Sequence, residues 1–251
     1  MKAIKWHIGC SGFYYREWKG GFYPEKLPQK QWFEFYAAQF NTLELNVTFY
    51  RFPQLSDLER WEQKSPPNFS FSVKAPRLIT HYKQFNECKD LLDDFYDTVQ
   101  KGLKEKLGII LFQLPPSFAY SKEKLDRLVQ SLRSETGNAV EFRHSSWWRQ
   151  EVFETLSAHK IIFCGISYPG LPDQVVANHP IAYYRFHGLP KLYSSAYSHM
   201  ALKEAADSLL KNKNLEEVFL YFNNTASMNA IENARWINAY VSENILNSPQ
   251  A

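Results

Sequence analysis

Eight short apolar segments of this chain each end in polar or charged residues, and helical segments separate most of them. The ends are Cys10-Ser11, Glu44–Asn46, Lys74, Gln113, Glu141–His144, Ser167, Arg185–His187 and Asn223-Asn224. Strands separated by helical crossovers form parallel sheets, and eight of them favour closure into a barrel. The pattern therefore predicts an α/β fold, a single TIM-type (β/α)8 barrel of eight parallel strands, with its working face at their carboxyl ends.

The strand boundaries follow from the apolar segments and the breaks between them. The predicted strands are Trp6–Cys10, Thr42–Val47, Phe69–Ala75, Gly108–Leu114, Ala139–Arg143, Ile161–Ser167, Ile181–His187 and Val218–Asn223. Residues 168–180 contain three prolines, so we predict that the sixth helix is short or missing. Ser56 with Glu59 predicts the start of the second helix by a capping box, and Ser121 is the predicted cap of a later helix.

Composition favours one large domain, here residues 1–251. Of 251 residues 45% are hydrophobic, and no linker-like or low-complexity segment divides them. The net charge of +3 is too small to indicate a nucleic-acid partner by itself, and the three cysteines form no CxxC motif. The first residues lack the apolar region of a signal peptide, and no run reaches about 18 apolar residues. We therefore predict a cytoplasmic protein without a membrane partner.

Strand alternation places a set of charged side chains inside the predicted barrel. The inward set is Glu44, Asn46, Glu141, Arg143, Arg185 and His187. Buried ions are costly unless they pair with each other or bind a ligand. Two interpretations follow, a ligand site and an ion-pair network that only fills the barrel, and the sequence leaves both open.

The residue types of this set indicate a small anionic ligand. Lys74, Arg143 and Arg185 are cationic, and arginine binds phosphate and carboxylate groups bidentately. Proton transfer needs a carboxylate or a histidine in the same cavity. The catalytic candidates are Glu141 and His187, with Glu44 behind them. The other ligand-binding candidates are Asn46, Gln113, Asn223, His81, His144 and Trp18.

The sequence predicts neither a metal site nor a cofactor. Glu44, Glu141, His144 and His187 are possible ligands, but HxH, HExxH and Asp-rich motifs are absent. Glycine-rich phosphate motifs such as GxGxxG are absent too. Cys10 ends the first strand, where a lone cysteine is more often a small core residue than a nucleophile.

Aromatic residues crowd the loops that follow several strands. They are Phe13, Tyr14, Tyr15, Trp18, Phe22, Tyr23, Phe49, Tyr50, Phe52, Trp147 and Trp148. One interpretation is packing at the top of the barrel. The other is a stacking wall for a base or sugar ring beside a basic pocket.

Seven ordered motifs at these positions resemble the domain of unknown function 72 family. They are IGCSGFYYREWKGGFYP (8–24), LELNVTFYRFP (43–53), FSFSVKAPRLITH (69–81), LFQLPP (111–116), VEFRHSSW (140–147), YYRFHG (183–188) and FNN (222–224). The resemblance implies a TIM-type barrel in a bacterial or archaeal cytoplasmic protein, and it implies no established reaction. The family's last motif commonly continues with Asp, where this chain has Thr225, which puts a role for that position in doubt.

Three functional hypotheses fit the sequence. The first is an enzyme with an anion-binding pocket at the barrel mouth, a hydrolase or isomerase acting on a phosphorylated or sugar-like substrate. The second is a nucleic-acid binding or processing protein. The third is a non-catalytic sensor of a small anionic metabolite. The assignment to a reaction class rests partly on analogy with other barrels.

Overall fold

The computed structural model describes residues 4–246 and contains nine β-strands within that range. The strands are β1 (Lys5–Cys10), β2 (Thr42–Leu45), β3 (Ser70–Lys74), β4 (Leu107–Gln113), β5 (Asn138–Glu141), β6 (Ile161–Phe163), β7 (Gly165–Ser167), β8 (Ile181–Phe186) and β9 (Glu217–Phe222). Every ladder between neighbouring strands is parallel. The predicted α/β fold with parallel strands is therefore confirmed.

Helices connect most of these strands. The α-helices are α1 (Trp32–Ala37), α2 (Val47–Tyr50), α3 (Leu55–Lys64), α4 (Lys89–Leu103), α5 (Lys122–Ser131), α6 (Gln150–Ala158), α7 (His199–Leu210) and α8 (Asn229–Leu246). A π-helix covers Leu78–Lys83, and short 3-10 turns precede or follow several elements. Among residues 4–246, none of the helices has both the length and the apolar character needed to cross a membrane.

The strands form two sheets, in the orders β1-β9-β8-β7 and β2-β3-β4-β5-β6, where the sequence predicts a single eight-stranded sheet. The predicted sixth strand is divided at Cys164. The Cys164 amide donates to the Val140 carbonyl of β5 at 2.9 Å, whereas Gly165 pairs with Tyr184 of β8. The chain therefore changes its pairing partner at this residue, and one predicted strand becomes β6 and β7.

Two side chains separate β1 from β2 at the other junction between the sheets. The Asn41 amide group accepts from the Ile8 amide at 3.2 Å and donates to the Trp6 carbonyl at 2.7 Å. The Tyr36 hydroxyl accepts from the Cys10 amide at 2.7 Å and donates to the Thr42 carbonyl at 3.1 Å. These groups take the backbone bonds that a ladder would use. Among the described residues, a single bridge between Ser11 and Glu44 joins the two strand ends directly.

The apolar core has two parts. The larger cluster lies between the sheets and the helices. The smaller cluster contains side chains from both sheets, namely Ile109, Leu111, Ala139, Ile162, Cys164, Ile166, Tyr183, Phe219 and Tyr221. The inner faces of the two sheets therefore pack against each other.

The predicted helix boundaries are partly confirmed. No helix lies between β7 and β8, as the three prolines predict. Ser121 caps α5, because its hydroxyl accepts from the Lys124 amide at 3.3 Å. The capping box at Ser56 is wrong. Helix α3 begins at Leu55 with Gln54 as the N-cap residue, so Ser56 already lies in the first turn.

We expect Gly9→Ala to lower the free energy of unfolding by about 1–3 kcal/mol, the usual cost of overpacking. An added Cβ would overlap the Thr42 carbonyl oxygen and lie 2.8 Å from the Tyr36 hydroxyl. Gly21→Ala is the control, since its Cβ would meet only the flexible Met228 side chain, with the sulfur at 3.0 Å. Urea unfolding measures both variants. A Gly9→Ala protein as stable as Gly21→Ala would contradict the close approach of β1 and β2.

Candidate functional site

Arg185 connects the two sheets through buried carboxylates. Its Nη2 donates to Glu44 Oε1 of β2 at 2.6 Å, and its Nη1 donates to Glu141 Oε2 of β5 at 2.6 Å. The Tyr183 hydroxyl donates to the other oxygen of Glu44 at 2.6 Å. Both carboxylates are completely buried, and only 1% of Arg185 is exposed. The β8 strand is thereby held to two strands of the other sheet.

Arg143 extends this arrangement toward the surface. Its Nε donates to Glu141 Oε1, and its Nη2 donates to His187 Nε2 at 3.1 Å. Its guanidinium carbon lies 4.1 Å from the centre of the Tyr168 ring, a cation–π contact. Its Nη1 makes no hydrogen bond to any residue in the described part of the chain, and 5% of the side chain is exposed. We call Glu44, Glu141, Arg143 and Arg185 the buried ion network.

Burial and the neighbouring charges shift the pKa values of Glu141, Arg185 and His187. Burial alone would raise the pKa of Glu141, but the Arg143 and Arg185 charges outweigh burial and hold that pKa well below its usual range. Burial would lower the pKa of Arg185, and the Glu141 and Glu44 charges raise it instead. Burial and the Arg143 charge lower the pKa of His187 to about 3, so its ring is neutral at pH 7.

Lys74 at the end of β3 has a different environment. Its Nζ lies 3.9 Å from the centre of the Phe49 ring, and it forms no salt bridge with any described residue. Burial first, and then the Arg185 charge, lowers its pKa to about 7. The side chain remains partly exposed. Near pH 7 the amine is therefore divided between its charged and neutral forms.

His81 and Gln113 lie beside Lys74. The His81 ring contacts Phe49 edge-on at 5.0 Å between ring centres, and its Nδ1 is 2.9 Å from the Thr80 hydroxyl. Burial first, and then the Lys74 charge, lowers the pKa of His81 to about 4. Gln113 Nε2 is 3.4 Å from His81 Nε2. These two side chains offer hydrogen bonds to a ligand without adding charge at neutral pH.

The other predicted ligand-binding residues differ in the hydrogen bonds that their side chains make. The Asn223 amide is 3.0 Å from His187 Nδ1 and extends the network toward β9. His144 Nδ1 is 2.7 Å from the Ser146 hydroxyl. Trp18 is fully buried in the first loop, where its Nε1 donates to the Ser227 carbonyl at 2.8 Å. Asn46 has a buried Oδ1 without a hydrogen-bond partner.

A direct contact between Arg185 and an anion, which the sequence predicts, does not fit this geometry. Both of its Nη atoms donate to protein carboxylates, and its remaining exposed surface is 1%. The reason is that two carboxylates surround this one guanidinium group. Glu44 and Glu141 bring two negative charges to the place where Arg185 was expected to be free. Arg185 therefore organises the network instead of facing solvent.

Two residues of this region, Tyr168 and Tyr183, were missed by the sequence analysis as site residues. Tyr168 contacts Arg143 and Tyr183 binds Glu44, whereas Phe49, which contacts Lys74, was among the aromatic loop residues considered for stacking. A signal was available for both missed residues. Tyr168 directly follows the strand end at Ser167, and Tyr183 alternates onto the same face as Arg185.

Cys10 and Thr225, two positions that the sequence analysis discussed, are both buried. Burial raises the pKa of Cys10, as expected for a core thiol. Within residues 4–246, no group of three or more His, Cys, Asp or Glu side chains is placed to hold a metal ion. Thr225 is buried beside Tyr15, whose pKa burial raises to about 12.

We expect His187 to make the protein less stable as the pH falls. The folded-state pKa of about 3 lies below the unfolded value, so the unfolded chain takes up the proton first and stability is lost below about pH 6.5. Between pH 7 and pH 5 this loss amounts to about 2 kcal/mol. The His187→Gln variant should lack that part of the pH dependence.

Urea unfolding of wild type and His187→Gln at pH 7 and pH 5 measures this effect. The quantity to compare is the change in the free energy of unfolding between the two pH values, not its absolute size. His159→Gln is the control, because His159 is exposed at the end of α6. Equal pH dependence in wild type and His187→Gln would contradict a neutral, buried His187.

Comparisons with known proteins cover nearly the whole chain. Residues 7–251 match the family described as Protein of unknown function DUF72. A solved DUF72 family protein from Thermotoga maritima superposes with a TM-score of 0.86 at 30% identity, over 95% of this chain and 99% of that chain. A DUF72 family protein from Enterococcus faecalis has the same fold, with a TM-score of 0.80 at 18% identity over 98% of this chain and 97% of that chain.

Curated relatives match over shorter segments. The UPF0759 protein YunF of Bacillus subtilis is 30% identical over 147 residues, which are 55% of this chain and 52% of that protein. The UPF0759 protein YecE of Escherichia coli O157:H7 is 29% identical over 150 residues, 59% of this chain and 53% of that protein. The chain spans about half the length of these relatives. Together with the family match over residues 7–251, these similarities show that the chain belongs to the DUF72 family.

Proposed function

We propose that this protein is an enzyme that binds a small anionic substrate at the carboxyl ends of its strands and uses Lys74 to transfer a proton. The observation that carries the proposal is Lys74 itself. Its amine forms no salt bridge with any described residue, has a pKa lowered to about 7, and is near enough to Arg143 for that charge to contribute to the lowering. The reaction class that suits it is hydrolysis or isomerisation of a phosphorylated or sugar-like compound.

The proposal includes closure of the two sheets into one TIM-type barrel. Three observations support it. The small apolar cluster joins inner faces of both sheets, Arg185 binds across from β8 to β2 and β5, and the Ser11–Glu44 bridge connects β1 to β2. In such a barrel the carboxyl ends of all strands meet at one mouth. Lys74, Gln113, Arg143 and Asn223 would then share that mouth.

The charge balance favours a small anion over a nucleic acid. Within the buried ion network two carboxylates offset two guanidinium groups. Lys74 is an additional cation, and Arg143 Nη1 donates to none of the described residues. One extra charge suits a single phosphate or carboxylate group, whereas tight binding of a polyanion takes several phosphate contacts.

The site residues then have different roles. Arg143 Nη1 and the Lys74 ammonium would bind the anionic group. Glu141 and His187 would hold Arg143 in place. They suit proton transfer poorly, because a carboxylate with a strongly lowered pKa and a histidine with a pKa of about 3 are weak bases at pH 7. Lys74 suits general acid–base catalysis better, since its pKa of about 7 lies near the operating pH.

We expect sulfate to bind more tightly at pH 6 than at pH 8, by up to about tenfold, because Lys74 loses its charge between these values. Sulfate keeps the same charge over this range, so the change reports on the protein. Calorimetric titration at constant ionic strength measures it. Lys74→Gln should bind weakly with little pH dependence, and Arg143→Gln should bind weakly at both pH values.

Lys101→Gln is the matched control, since Lys101 is an exposed residue of α4. Sulfate binding that is equal in wild type and Lys74→Gln would contradict the proposed site.

For a substrate found by screening phosphorylated sugars, Lys74→Arg keeps the positive charge but cannot release a proton near pH 7. The kcat should then fall by about 100-fold or more while KM changes little.

A further inference from the structure

A cavity of about 630 Å³ lies beside the loop that follows β1. Aromatic side chains form much of its wall, among them Phe13, Tyr15, Phe33, Tyr50 and Trp61. Its volume falls within the range of about 300–1,000 Å³ that is usual for small-molecule sites. Its lining does not include Lys74, Glu141, Arg143 or His187, so it is separate from the site of the proposed function.

Two residues of the lining have unsatisfied acceptors. Asn46 Oδ1 and Glu34 Oε2 are both buried, and neither accepts a hydrogen bond. A buried acceptor without a donor costs free energy, which a ligand with N–H groups would recover. The lining therefore favours a ligand that has hydrogen-bond donors attached to a flat apolar ring.

The lining also carries more positive than negative charge. Arg60 is paired with Asp57 at 2.6 Å, and Lys64 is paired with Glu34. Lys30, which also lines the cavity, has no partner among the described residues. An anionic group on the ligand would find its counter-ion there.

We propose that this cavity binds a heteroaromatic ring that carries N–H donors and a linked anionic group, the chemistry of a nucleoside monophosphate. The ring would stack on Tyr50 and Trp61, its N–H groups would donate to Asn46, and the phosphate would pair with Lys30. Base–aromatic stacking tolerates different bases because every base presents a π-face. The inference does not depend on the proposed proton transfer.

Adenosine 5′-monophosphate is the probe, titrated by calorimetry against the full chain. Tyr50→Ala should weaken binding about fivefold or more, the usual effect of losing one stacking side chain. Tyr82→Ala is the matched control. Both tyrosines are about equally exposed, at 70% and 67%, both contact Arg77, and Tyr82 lies outside the cavity lining. Neither substitution removes a buried side chain.

A second pair of variants tests the anionic group. Lys30→Ala should weaken binding of the monophosphate but not of adenosine, whereas Lys26→Ala, an exposed lysine outside the lining, should change neither. Absence of binding by wild type at millimolar concentration would overturn the proposal. Binding that Lys74→Gln abolishes and Tyr50→Ala leaves intact would also overturn it, because the nucleotide would then occupy the barrel mouth.

Discussion

Arg185 holds the two sheets together by donating to one carboxylate from each of two strands on the opposite sheet. Its contacts with Glu44 and Glu141 join β8 to β2 and β5 in a region with almost no solvent. Without this guanidinium Glu44 would have no cationic partner among the described residues and Glu141 would keep Arg143 alone. Breaking a buried pair typically costs about 3–5 kcal/mol.

The network also determines which groups remain for chemistry. Glu141 is committed to two arginines, and His187 is neutral against Arg143. Burial, and then the positive charge of Arg185, lowers the pKa of Lys74 to about 7, and no carboxylate of the described residues forms a salt bridge with it. A structural ion network and a functional site are therefore compatible in one cluster. In the proposed enzyme, the network would hold the site residues in place and Lys74 would supply the exchangeable proton.

The sequence predicts the parallel strands and the face of each charged side chain, since both depend on local periodicity. It does not predict that Asn41 and Tyr36 insert between β1 and β2, or that pairing changes at Cys164, because these depend on contacts between distant segments. The same holds for Arg185. Strand alternation shows that the Arg185 side chain points inward. The distances in the structure are needed to show that its two Nη atoms already donate to Glu44 and Glu141.

The proposed function depends on Lys74 and Arg143 being the groups that contact a negatively charged ligand. A crystal structure of the protein grown at pH 6 and soaked in selenate tests this directly, because selenium locates the anion by its anomalous signal. We predict an anion within hydrogen-bond distance of both Lys74 Nζ and Arg143 Nη1. An anion bound instead to Arg185, with its contacts to Glu44 and Glu141 broken, would contradict the account.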